Sequence, residues 1–262
     1  MSTTCRISWC SLPLFPDCSE RRSFWIFTIR CLTRSRRNLR GARADSFIEC
    51  FSGRNSYFAD DELFCLQKSF SIEGKIRLVF HGTILERSGL RMLMDGLARV
   101  RHKDRISLRI IGEGDFSQSL KQMIQSLGLE GIVDFDNHSY PVHSIPERIA
   151  DCNVGIVPLE ISSVTNYALP LKLVEYISLG LPVMTVRNDA ISYYLSEEDC
   201  IFFKWNDPCS LSAVLDRIAE NPEALLHYRE RSVALREGFS WTGEKRKYVA
   251  LLRQLTGASR NN

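Results

Sequence analysis

At 262 residues the chain has the length of about one and a half typical domains. Hydrophobic residues make up 44% and charged residues 25%, ordinary values for a globular protein, which exclude a collagenous, a wholly disordered or a multi-span membrane chain. The net charge of +3 conceals an asymmetry: residues 1–54 hold 10 Arg, no Lys and 4 acidic residues, while the remainder is mildly acidic and gives no reason to expect nucleic acid as a partner.

From residue 1 to 54 no helical or strand period persists, and Ser, Arg and Cys dominate. Three readings of this extension compete. An Arg- and Ser-rich, acid-poor leader suits an organelle transit peptide. The cluster Arg34, Arg36, Arg37, Arg40 and Arg43 suits phosphates or an anionic membrane surface. The favoured reading is that the stretch is not an evolved domain, as a segment read from a wrong start or frame would be. Five of the nine cysteines fall here; the other four are Cys65, Cys152, Cys200 and Cys209. No C-x2-C pair occurs and the count is odd, so neither a zinc knuckle nor a disulfide framework is implied. The later four are expected to be buried free thiols of a reducing compartment.

Residues 55–74 read as a linker, and the pattern sharpens after Gly74. Ile76–Phe80 is a short apolar run ending in His81-Gly82, as a buried parallel strand would. Gly89–Val100 has helical spacing. Ser107–Ile111 is a second strand ending at Gly112, followed by a helix near Ser117–Leu127. A third strand is expected at Ile132–Phe135, a helix at Ile145–Ala150, a fourth strand at Val154–Val157 and a helix at Leu171–Leu179. Strands at Val183–Val186 and Ile201–Phe203 follow, then helices at Ser210–Ala219, Pro222–Arg236 and Thr242–Leu255. This alternation predicts an α/β fold with a doubly wound, Rossmann-like parallel sheet over residues 75–238, with a final helix and tail over 239–262.

In such a sheet ligands bind beyond the carboxyl ends of the strands. After the first strand, Gly82 and Gly89 flank a loop in which Arg87 offers a planar donor fork for phosphate. After the second comes the turn Gly112-Glu113-Gly114-Asp115, and after the fourth a loop from Leu159 to Leu169 closed by Pro170. Pro170 suits the first position of a helix whose free N–H groups would face an anion. Each piece has a plainer reading: Ser117 stands where a dinucleotide fingerprint wants its third glycine, and a loop Arg is more often solvated. Glu175 is the most informative residue, because it falls on the apolar, sheet-facing side of its helix, where a carboxylate is costly without a partner.

Taken in order, FHGTILERSGL, IIGEGDF, VDFDN, ADCNVGIVPL and ALPLKLVEYISLGLPVMTV resemble the C-terminal nucleotide-sugar-binding domain of group 1 (family 4) retaining glycosyltransferases of the GT-B fold, over residues 56–255. By that resemblance Glu175 is the second of the family's paired glutamates, which grips the nucleotide ribose hydroxyls. Arg87 is the cation on the donor diphosphate, Lys172 assists the same phosphates, and both are the catalytic candidates. Gly82, Thr83, Gly112, Tyr167, Ala168 and Leu169 would line the diphosphate and donor sugar. Two positions depart from the pattern: Tyr167 replaces the first glutamate, and Thr83 replaces the usual basic residue.

The resemblance implies transfer of a hexose-type sugar from a nucleoside diphosphate sugar to a sugar or lipid-linked acceptor, without metal or cofactor. The setting would be cell-envelope polysaccharide or glycoconjugate synthesis, in the cytoplasm or at the inner face of the membrane, by peripheral association. A GT-B enzyme has two such domains, and about 75 residues precede the first strand here. The N-terminal acceptor domain is therefore expected to be missing, and the final helix, with Trp241 and Tyr248, to expose apolar surface. Three alternatives remain at this point: an inactive nucleotide-binding remnant, a sugar-nucleotide epimerase, and a nucleic-acid or membrane-surface protein resting on the Arg-rich extension.

Overall fold

A computed structural model describes residues 58–66, 70–163 and 165–256. The expectations for residues 1–54 lie outside them. Six strands form one parallel sheet: β1 (Ile76–His81), β2 (Ile106–Ile111), β3 (Val133–Asp136), β4 (Val154–Val157), β5 (Val183–Val186) and β6 (Ile201–Phe203), in the order β3-β2-β1-β4-β5-β6. The helices are α1 (Leu90–Arg99), α2 (Ser117–Ser126), α3 (Ile145–Arg148), α4 (Leu171–Leu179), α5 (Asp189–Tyr194), α6 (Pro208–Glu220), α7 (Ala224–Leu235) and α8 (Trp241–Thr256).

Period-two alternation along the strands divides the core into two layers. Leu78, Phe80, Ile110, Ile156 and Met184 meet α1, α2 and α6 through Leu93, Leu97, Leu120, Leu211 and Leu215. Val79, Val157 and Val183 meet α4 through Leu173, Val174, Tyr176 and Ile177. Both β4 and β5 are buried throughout, as interior parallel strands require. Local signals set several boundaries. Asp207 caps α6 by accepting from the Ser210 amide, with Pro208 at its start, and Gly180 closes α4 in the left-handed conformation.

The segment before β1 packs on the body. Ala59 pairs with Ser240 and lies buried with Phe64, while Asp61 accepts from the Ser240 hydroxyl and the Thr242 amide. Trp241 is 41% exposed at the start of α8, and Tyr248 is half-buried.

Three readings need correction. Helix α5 was not foreseen, and Pro170 precedes the first helical residue, Leu171, rather than being it. Of the later cysteines only Cys152 and Cys200 are buried, where desolvation pushes each thiol up to about 12; Cys65 and Cys209 are exposed. Among the described residues no helix is long and apolar enough to cross a membrane, and no cluster of three or more metal-ligating side chains occurs.

Candidate functional site at the switch point of the sheet

The strand order reverses between β1 and β4, because β2 and β3 follow on one side and β5 and β6 on the other. Loops leaving such neighbours diverge and open a crevice beyond their carboxyl ends. β1 pairs with β4 at Leu78–Val154 and Val79–Gly155. Beyond these pairs the Tyr176 hydroxyl from α4 takes over: it donates to the Val79 carbonyl at 3.1 Å and accepts from the His81 amide at 3.2 Å. One side chain thus satisfies backbone groups left by the parting strands.

The loops on either side interlock. The Gly82 amide donates to the Ile111 carbonyl, Ile84 to Glu113, and Phe116 back to Ile84. Gly112 has φ +140°, and a Cβ there would stand 2.0 Å from the Gly82 carbonyl oxygen. Gly89 has φ +73° and would place a Cβ 1.5 Å from the Pro158 carbonyl oxygen. Both positions exclude a side chain by conformation and by contact.

Three ionisable side chains meet where β1 ends and α4 begins. Glu175 is buried, with Oε2 at 3.5 Å from His81 Nε2. Lys172, one helical turn earlier and half-buried, holds Nζ 3.9 Å above the Phe80 ring centroid, over Gly82. Burial, reinforced by the Lys172 charge, lowers the His81 imidazole to about 3. Burial lowers Lys172 to about 8, with the Glu175 carboxylate opposing. Perturbed groups gathered at the switch point make this cluster the candidate site.

The loop from β4 to α4 is fastened to α5. Asn188 caps α5 by accepting from the Ile191 amide at 2.6 Å, and its amide group donates to the Thr165 and Ala168 carbonyls at 2.8 and 2.9 Å. Asn166 donates to Asp189 at 2.7 Å. These bonds hold out Tyr167, 73% exposed, with Ala168 half-buried and Leu169 buried. Arg87 is exposed on a short turn, its carbonyl accepting from Glu160, and its guanidinium has no hydrogen bond or ion pair among the described residues. Thr83 is exposed nearby.

The structure therefore gathers Gly82, Gly112, Lys172 and Glu175 at the crevice and places Thr83, Arg87 and Tyr167–Leu169 on the loops around it. Sequence reasoning missed His81, Tyr176 and Asn188. The first two read as a strand end and a core aromatic. Asn188 carried a signal, an N-cap residue just before a short apolar stretch.

A family model described as glycosyl transferases group 1 matches residues 75–221, which take in all six strands and the whole cluster. No curated protein sequence matches the chain. Among solved structures, the catalytic domain of cholesterol-α-glucosyltransferase from Helicobacter pylori is 17% identical with a TM-score of 0.53, over 63% of this chain and 99% of that one. The C-terminal domain of a glycosyl transferase group 1 family protein (LpcC) from Francisella tularensis is 15% identical with a TM-score of 0.57, over 68% and 95%. The Anabaena protein HepE, solved with UDP and glucose, is 16% identical with a TM-score of 0.56, over 77% of this chain and 55% of its own. The chain thus spans nearly all of two single domains and about half of a longer protein, and at these identities what is shared is the fold. With its family match extending over more than half of its length, the chain belongs to the glycosyl transferases of group 1.

Proposed function

We propose that the crevice binds a nucleoside diphosphate sugar and that the chain supplies the donor half of a hexosyltransferase acting with retention of configuration. The observation that carries this reading is the Lys172–Glu175 pair beside His81 at the switch point. A carboxylate accepts but never donates, so Glu175 suits the two hydroxyls of a ribose. Lys172 and Arg87 supply positive charge where a diphosphate leaving group develops negative charge. The glycine turns at Gly82 and Gly112 let phosphates approach the backbone, and the amides of the first turn of α4 point the same way. Neutralisation by these cations takes the place of a metal, and no cofactor is needed. Thr83, Tyr167, Ala168 and Leu169 line the sugar end of the crevice.

The UDP and glucose of the Anabaena relative make a uridine nucleotide and a hexose the first donors to try. In this reading the sugar or lipid-linked acceptor is held by a further domain facing the crevice, with the chain working in the cytoplasm at the inner face of the membrane, in polysaccharide or glycoconjugate synthesis.

The test is to mix the full chain with UDP-, GDP- and ADP-linked hexoses and a membrane fraction carrying lipid-linked acceptors, following nucleoside diphosphate release and the anomeric proton of the product. Release with one donor and a product that keeps the donor's anomeric configuration is expected. An inverted product would contradict retention, and release without any acceptor-bound sugar would contradict transfer.

A further inference from the structure

We infer that His81 is a positioning residue for donor binding, whose imidazole Nε2–H orients the Glu175 carboxylate toward the nucleotide ribose. The inference rests on the donor-binding reading of the crevice and goes beyond it by naming a residue that never touches the ligand. His81 is 6% exposed, and its Nε2 is a buried polar atom with no hydrogen bond among the described residues. An orphan of this kind is expensive to keep and calls for an explanation. Nε2 lies 3.5 Å from Glu175 Oε2, about half an ångström longer than a normal hydrogen bond, so a small approach would join them.

The fold imposes this juxtaposition. Tyr176 is the neighbour of Glu175 on α4, and its hydroxyl accepts from the backbone amide of His81 while its ring stands edge-on to the imidazole, centroids 5.1 Å apart. One residue therefore fixes both the strand end that carries the imidazole and the helix turn that carries the carboxylate. The groups facing His81 are Glu175, Lys172 and the Tyr176 phenol, which burial keeps un-ionised. Burial and the Lys172 charge keep the imidazole itself neutral. A neutral imidazole carries a single N–H, and facing an acceptor-only carboxylate that proton belongs on Nε2.

A packing role and a positioning role predict different things. Loss of packing weakens every nucleotide alike, whereas loss of the orienting bond erases the preference for ribose over deoxyribose. The experiment measures the affinity of the full chain for UDP, GDP and ADP and for their 2′-deoxy forms, in the wild type and in His81→Leu, His81→Gln and His81→Asn. The wild type should favour the ribonucleotide by about tenfold or more, the worth of a hydrogen bond to a charged group. That ratio should shrink to about twofold in His81→Leu and recover in His81→Gln, whose amide reaches the Nε2 position. If His81→Leu does not fold, the remaining pair carries the test: Gln keeps the ratio and Asn, one methylene shorter, loses it. A ratio unchanged in His81→Leu, or equal in the Gln and Asn variants, would overturn the role of His81 alone. A folded wild type that binds none of the three diphosphates would overturn the donor-binding reading and this inference with it.

Discussion

Two carboxylates, Glu175 and Asp216, are each only 4% exposed, yet their surroundings differ sharply. Asp216, on α6, accepts from the backbone amides of Arg101 and His102 at 2.9 and 3.1 Å and from the Arg101 guanidinium at 3.1 Å. Although burial pushes its carboxyl up, those amides and the guanidinium hold it below the usual carboxylate range. It ties the end of α1 to α6 and has little capacity left. Glu175 instead lies beside two titratable side chains, one neutralised and one lowered, where the strand order reverses. Fixed amides and an exposed Arg make a clamp; under the proposed function, shifted side chains at a strand parting make a receptor.

The comparison can be broken at several points. The largest expected effect falls on the frame that holds the crevice: Gly89→Ala would drive a Cβ into the Pro158 carbonyl at a residue already in the left-handed region. It should lower stability by about 3 kcal/mol or more, read as a drop in the denaturation midpoint. Asp216→Ala leaves two backbone amides at the α1 end without their acceptor. It should cost about 2–3 kcal/mol of stability and leave nucleotide affinity unchanged, as paired urea melts and titrations would reveal. Glu175→Gln should reverse that pattern, weakening nucleoside diphosphate binding by about tenfold or more while the melting curve barely moves.

The smallest effect concerns Lys172 and has a defined sign. Its folded value of about 8 lies below the ordinary 10.5. Between those values the unfolded chain binds more protons, so stability rises with pH across the window, and the residue costs most when charged below pH 8. Lys172→Met should therefore gain on the order of 1 kcal/mol at pH 7, and that gain should fade as pH rises toward 10.5. Its diphosphate affinity should fall. Urea unfolding at pH 7 and pH 10 checks both the size and the sign.

The sheet was legible because its strands are short apolar runs punctuated by Gly, Pro or polar residues. The boundaries of β4, α4, β5 and β6 agree with the expected ones to the residue. Helix α5 escaped because six residues, with Tyr193 facing solvent, show too little of a period to read. Cys209 escaped because a first-turn position on α6 looks apolar in sequence and is exposed in space. At the site, Glu175 announced itself as a carboxylate on an apolar helix face. His81 could not, since its importance depends on α4 crossing the end of β1, a contact 94 residues away in sequence. Asn188 acts across a shorter gap, 23 and 20 residues, with its bonds to the Thr165 and Ala168 carbonyls made only once α5 has packed.

The most direct test of the contrast between clamp and receptor is one calorimetric series, in which the wild type, Glu175→Gln and Asp216→Ala are titrated with UDP, GDP and ADP at a temperature where all three are folded. The account predicts binding of one nucleotide by the wild type and by Asp216→Ala with equal affinity, and binding weakened by about tenfold or more in Glu175→Gln. Equal affinity in the wild type and Glu175→Gln, or no binding by the folded wild type, would contradict it.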